Sequence, residues 1–273
     1  INYNNCDGLR DTIRSVAMQT YRTFEYVIID GGSTDGSVEV IKNNADLIDY
    51  WVSESDRGIY HAMNKGIEQA TGEYCLFLNS GDVFCNNNIL ECAIKNGLDK
   101  DLVIGGARNI SSGEVFFVHS RPFVFMDFWY KSTIPHPSTF IKRSLFDDNK
   151  YDEELKIVSD WKFFINAIFL KKCSYKKMDL LIVDFDGNGV SSKVEDTYEE
   201  HRKVLVGMLP EIVYTDYEWL ANGRGYDSFF LRLRYCKYSQ MIYAISLWGV
   251  RLLSICFSSA RFARLFHLNP LKR

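Results

Sequence analysis

The chain has 273 residues, 47 % hydrophobic and 25 % charged, which is the balance of a globular protein with an ample core rather than of a disordered or membrane-spanning one. The net charge of −3 hides an asymmetry: beyond Asp227, the last acidic residue, the tail carries +8, so residues 1–227 carry −11. Seven cysteines, odd in number and without a C-x-x-C pair, fit a reducing compartment, and neither zinc-ligand spacing nor a signal peptide is seen.

From Phe24 to about Phe185, short apolar runs alternate with amphipathic stretches, which predicts strand–helix–strand units and an α/β sheet. Ile1 opens in what reads as the end of a strand, so part of a first strand is expected upstream of this numbering. In chain order the pattern predicts a helix over 8–18, a strand over 24–29, a helix over 35–44, a strand over 48–53 and a helix over 59–70 stopped by Thr71-Gly72. A strand over 73–78 and a helix over 88–96 follow, then strands over 102–107, 114–118 and 138–142, a helix over 159–171, a strand over 178–185 and a helix over 195–208. Repeats and low-complexity tracts are absent.

Ligands of open α/β sheets bind where strands end, so the polar loops at three strand ends draw the search: "IIDGGSTDGS", "WVSESDRGIY" and "LFLNSGDVF". Each carries an aspartate. Taken singly, Asp30 reads as a turn or capping residue as readily as a ligand contact; three such ends together favour a site. Neither G-x-x-x-x-G-K-[ST] nor G-x-G-x-x-G occurs, so phosphate would need another holder, and Mg2+ or Mn2+ on oxygen ligands such as Asp82 suits that task.

The blocks "YNN", "QTYRTFEYVIIDGGSTDGS", "SESDRGIYHAMNKGIEQATGEYCLFLNSGD" and "SDW" follow one another in an order that resembles the family 2 glycosyltransferases, over roughly residues 1 to 190. The resemblance implies an α/β GT-A fold, a Rossmann-like mixed sheet flanked by helices. It also implies a nucleotide-sugar donor, most often a UDP-sugar, a divalent Mn2+ or Mg2+, and transfer with inversion, in the manner of bacterial capsule and lipopolysaccharide synthesis. Residue by residue, Tyr3 matches the tyrosine lining the base pocket and Asp30 the aspartate that contacts the base, with Asp35 organising the turn. Asn5, Gly31, Asp56, Ser80 and Gly81 are implied on the donor side, as are Asn64 and Lys65 of "AMNKG"; Lys65 would offset diphosphate charge or lie solvated. Asp82 matches the last aspartate of the metal motif, while Ser80 replaces its first carboxylate, which implies modest metal affinity.

Inverting transfer needs a base that takes the acceptor hydroxyl's proton, and Asp160 in "IVSDWKFF" matches that position, though Ser159 and Asp160 would also suit a helix N-terminus with no chemistry. His136 in "IPHPSTF" resembles the family's H-Q-x-x-F segment and is placed on the acceptor side, with Pro137 in place of the glutamine. His61 stands where related sequences carry aspartate, removing a negative charge near the donor.

Two other readings compete: a nucleotidyltransferase of related fold, disfavoured by the lack of a basic glycine-rich loop, and a silent sugar- or membrane-binding protein, disfavoured by Asp30, Asp82 and Asp160 together. The sequence divides into a catalytic domain over 1–210, with a donor half over about 1–105 and an acceptor half over 106–210, and a helical extension over 211–273. In the tail, "MIYAISLWGVRLLSICF" is too interrupted to span a bilayer, and its basic and aromatic residues predict that 228–273 binds the membrane peripherally on the cytoplasmic face, near a saccharide or lipid-linked acceptor. A helical subdomain packed on the core is the plainer alternative. No nucleic-acid partner is expected.

Overall fold

The computed structural model describes residues 1–118, 120–131, 133–187 and 194–221. Two compact units result, Ile1–Met208 and a second from Leu209 onward. In the second, α7 (Glu211–Ala221) is described, with Tyr214 donating along the helix to Glu218 at 2.6 Å.

In the first unit, α1 (Cys6–Ala17) leads to β1 (Val27–Asp30), α2 (Ser37–Asn43), β2 (Tyr50–Ser53) and α3 (Ile59–Gln69). β1 and β2 pair in parallel as a two-stranded sheet. Leu9 and Ile13 of α1, Ile28 of β1, and Val40 and Ile41 of α2 form its core, as expected where apolar positions recur at helical spacing on one face. Ile1 and Asn2 complete this end of the sheet. Asn2 bridges Asp30 in parallel, and the Ile1 amine donates to the Leu78 carbonyl at 2.9 Å.

The second sheet is mixed. It orders β3 (Tyr74–Cys75), β7 (Thr139–Lys142), β5 (Leu102–Asn109), β8 (Tyr175–Phe185) and β4 (Val83–Phe84), with β6 (Val115–Phe116) pairing on β5. β5 and β8 run parallel, with register shifts near Ile104–Ala107, and the other pairs are antiparallel. α4 (Ile89–Lys95) packs Ile89 and Ala93 against Val103, Phe140 and Ile182. α5 (Ser159–Ile165) passes into a wider π-type turn over Asn166–Leu170, and α6 (Val194–Met208) follows.

The expected mixed sheet flanked by helices is therefore present. Three local departures have physical causes. β4 is two residues long and exists through its pairing with β8, which no local pattern announces. Of 73–78 only Tyr74 and Cys75 are paired as strand. The helix expected over 159–171 widens after Ile165, where Lys171 N–H reaches back five residues to Asn166 at 2.8 Å. A cavity of about 490 Å³ is lined mostly by apolar residues of α1, β1 and 74–78, and of the predicted donor residues only Ser80 borders it. It belongs to the core rather than to the polar strand ends.

Candidate active site

β1 ends in a knot centred on Asp30, which is 0 % exposed. Its Oδ1 accepts from Asn2 Nδ2 and Ser33 Oγ, both at 2.6 Å, and its Oδ2 from Ser33 N–H at 2.9 Å and Ser53 Oγ at 2.6 Å. Burial works to raise its pKa, but these four donors outweigh it and hold the group below the usual carboxylate range. Asp30 thus binds the loop to the end of β2 as a charged, saturated centre. A nucleobase N–H reaches it only by displacing one of the four donors. Asp35 organises the following turn, accepting from Cys6 N–H at 2.8 Å and from Ser37 Oγ at 2.6 Å. It stands in for a cap on α2, whose N-terminal Gly36 has no side chain to offer.

Beyond the knot, three groups converge on Gly31. A methyl group there would lie 3.1 Å from the Tyr3 ring, 3.2 Å from Asp56 Oδ2 and 3.6 Å from the Asn2 carbonyl. Tyr3 is 68 % exposed, so a face of its ring is open beside the carboxylate. Asp56 is fixed by Lys65 Nζ at 2.5 Å and by His61 Nδ1 at 3.1 Å. Lys65 also meets Glu54 at 2.8 Å; burial lowers its pKa, and the two carboxylates more than reverse that. Lys65 is therefore neither solvated nor free, and it pins Asp56. His61 faces Asp56 directly, so a carboxylate in its place would set two like charges against each other in this arrangement.

The turn Asn79–Asp82 forms the second wall. Gly81 adopts φ 105°, a backbone that favours glycine, and its N–H donates to Thr12 Oγ1 at 2.9 Å. Asn5 caps α1 through Gly8 N–H and donates to the Ser80 carbonyl at 2.8 Å, while Ser80 Oγ donates to Asn2 Oδ1 at 2.5 Å. Asn2 thus ties the Asp30 knot to this turn. Asp82 is buried, which pushes its pKa up to about 6 against the opposing Asn79 N–H at 2.8 Å. In the same turn Asn79 Oδ1 is buried with no hydrogen-bond partner. A carboxylate and an orphaned amide oxygen are the hard donors that Mg2+ or Mn2+ takes, so the residues present fit such an ion. Among the described residues no cluster of three His, Cys, Asp or Glu side chains gathers, so most of its shell would come from substrate and water.

The third predicted group is tied to α3 and lies on α5. Asp160 in its first turn accepts from the Tyr60 hydroxyl of α3 at 2.8 Å, and that hydroxyl also lies 2.6 Å from the Ile157 carbonyl. Lys156, Ile157 and Val158 N–H all donate to Glu200 of α6, at 2.8, 2.8 and 3.2 Å. Arg57 pairs with Glu153 across the two halves of the chain.

Two of the predicted residues are engaged by the fold itself. Asn64 exchanges hydrogen bonds with the Tyr151 backbone at 2.9 and 3.0 Å and donates to Glu153 at 3.0 Å, stitching α3 to the loop before α5. His136 sits among the core aromatics. It is buried, stacks on Phe77 at 5.1 Å, meets Tyr151 Oη at 2.7 Å, and its pKa is lowered by burial despite the Asp160 charge. Asn2, Thr12, Asn79, Tyr60 and Glu200 were not singled out from the sequence, because each acts through partners distant along the chain.

The family described as Glycosyl transferase family 2 matches residues 1–152. An uncharacterized glycosyltransferase of Mycobacterium tuberculosis is 32 % identical over 209 residues, covering 71 % of this chain and 76 % of that protein. Staphylococcus aureus TarS superposes with a TM-score of 0.61 at 22 % identity, covering 82 % of this chain, which spans 42 % of that one. Its 1–349 fragment was solved in complex with UDP-GlcNAc, again with a TM-score of 0.61 and 22 % identity, over 79 % of this chain and 68 % of the fragment. A mannosyltransferase of Pyrobaculum calidifontis, in complex with GDP-Man and Mn2+, gives a TM-score of 0.52 at 14 % identity, over 91 % and 83 %. These likenesses show a GT-A type of fold.

Proposed function

Because the chain belongs to glycosyl transferase family 2, we propose that it is an inverting hexosyltransferase that moves a sugar from a UDP-sugar to a saccharide or lipid-linked acceptor in cell-surface polysaccharide synthesis. The observation that carries the reading is the double link through Asn2, which joins the Asp30 knot beside Tyr3 and Gly31 to the Ser80–Asp82 turn. That link sets an aromatic platform and a buried carboxylate at one sheet edge, as a nucleoside diphosphate requires. UDP is favoured over other nucleotides because the TarS fragment was solved with UDP-GlcNAc on a shared fold.

In this reading Tyr3, Gly31 and Asp56 line the base pocket. Asp82, with Asn79, would hold a divalent ion, which when bound supplies positive charge to the diphosphate leaving group. Asp160 accepts the proton of the acceptor hydroxyl as its oxygen attacks the anomeric carbon opposite the departing UDP; the new C–O bond forms as the sugar–phosphate bond breaks. Tyr60 orients the carboxylate for that transfer.

We assign 1–210 to catalysis and 211–273 to an extension. The predicted membrane-binding stretch 228–273 lies outside the described residues, and among those described no helix is long and apolar enough to cross a membrane. The test of function is a screen of UDP-, GDP- and dTDP-sugars for metal-dependent donor hydrolysis by the purified chain. UDP-sugar hydrolysis with Mn2+ supports the reading, and turnover of none of the three classes overturns it.

A further inference from the structure

α5 has no cap of its own. Val158, at its N-cap position, has no polar side chain, and three consecutive backbone N–H groups stand ahead of the helix. All three are met by one carboxylate, Glu200, brought from α6 more than forty residues downstream. The peptide so fixed has a second attachment, since the Ile157 carbonyl and Asp160 Oδ1 share the single proton of the Tyr60 hydroxyl. The next residue of α6, His201, is buried and packs edge-on against Trp161, beside Asp160 in the chain, with ring centroids 4.4 Å apart. Glu200 and His201 therefore grip the chain on both sides of Asp160.

We propose that Glu200 is a positioning residue for the base, acting through the Ile157 peptide and the Tyr60 hydroxyl, so that the docking of α6 sets the aim of the Asp160 carboxylate. The proposal rests on the reading of Asp160 as the base. Three N–H donors fix the carboxylate in place, and by reciprocity they fix the loop. Misplacing a reacting group by about an ångström costs up to about a hundredfold in rate. Loss of the Glu200 charge would loosen the loop without touching the pocket around Tyr3 and Asp56.

The experiment is a double-mutant cycle on the full chain. Turnover of the UDP-sugar selected by the screen is measured with water as acceptor for the parent, Glu200→Gln, Asp160→Asn and the double variant. Melting temperature and UDP affinity are followed in parallel. Glu200→Gln is expected to lower kcat about tenfold or more with donor KM within about twofold, and to cost nothing further once Asp160 is Asn. An equal loss in both backgrounds, or no loss in the parent, overturns the proposal and leaves Asp160 as base untouched. If Asp160→Asn itself turns over at the parent rate, the base reading falls and the proposal with it. Glu200→Asp, which keeps the charge but shortens the reach, should fall between Gln and the parent; it carries the same cycle if the Gln variant fails to fold.

Discussion

The hydroxyl of Tyr60 lies 2.8 Å from the carboxylate of Asp160, joining residues one hundred positions apart in the chain. α3 and α5 lie far apart in the chain. One hydrogen bond thus ties them together. Tyr60→Phe is expected to destabilise the fold by about 1 kcal/mol, because it removes the proton shared by the partly buried Ile157 carbonyl and Asp160, and to slow turnover while UDP affinity holds. Urea unfolding and UDP titration check the two parts, and lost UDP affinity would place Tyr60 in the donor pocket instead.

Removing Asp82 should uncouple metal from nucleotide. Asp82→Ala is expected to abolish the Mn2+ dependence of UDP binding, whereas Asn79→Ala should weaken it less, since an amide oxygen is the poorer ligand. Calorimetry with and without Mn2+ reads both, and unchanged metal dependence in Asp82→Ala would rule out that carboxylate.

Gly31 is a position where one carbon matters. In Gly31→Ala the new methyl would stand 3.1 Å from the Tyr3 ring and 3.2 Å from Asp56 Oδ2, so the exposed tyrosine should swing aside. UDP affinity is expected to fall by about tenfold, roughly 1.4 kcal/mol, with little change in melting temperature. A large loss of stability with intact affinity would count against a base pocket there.

His201 predicts a pH dependence. It is 3 % exposed, and burial lowers its pKa to about 4. The unfolded chain takes up a proton below about pH 6.5 that the fold refuses until about pH 4, so the stability held above pH 6.5 is lost as pH falls through that window. The loss from this residue is ~3 kcal/mol at most. His136, also lowered by burial, adds to it in the same direction. Unfolding midpoints of His201→Phe should fall less steeply between pH 6.5 and 4 than those of the parent.

The tail supplies a test independent of catalysis. With eight basic and no acidic residues beyond Asp227, the 273-residue chain is expected to float with anionic vesicles, and a chain ending at Asp227 should not, while still binding UDP. A truncated chain that unfolds, or a 273-residue one indifferent to vesicles, would favour a packed subdomain.

Much of this was legible in the sequence, for reasons that differ by scale. Helical periodicity located α1 to α6 because each buries one face, and the strand-end aspartates marked the site because polar loops interrupt apolar runs there. Residues whose role depends on a remote partner left no such trace. Asn2 matters through Asp30 and Ser80, and Glu200 through three amides of a loop it meets only in the folded chain. The burial of Asn64 and His136 was not legible either, because their partners around Tyr151 lie far along the chain from Asn64 and are met only in the fold. β4 could not be anticipated, since two residues carry no period.

The pairing of β4 with β8 also fixes an order of events. Val83 and Phe84, immediately after Asp82, find their partners at Asp184 and Val183, about a hundred residues later. While the chain is being made at about 5–20 residues per second, the turn bearing Asp82 has to wait several seconds or more for the strand that braces it. Asp160 emerges within that interval, ahead of β8, and Glu200 only after it. The two ends of the candidate site therefore mature together once β8 has emerged, and a ribosome-bound chain halted before Phe185 should present neither in its folded form.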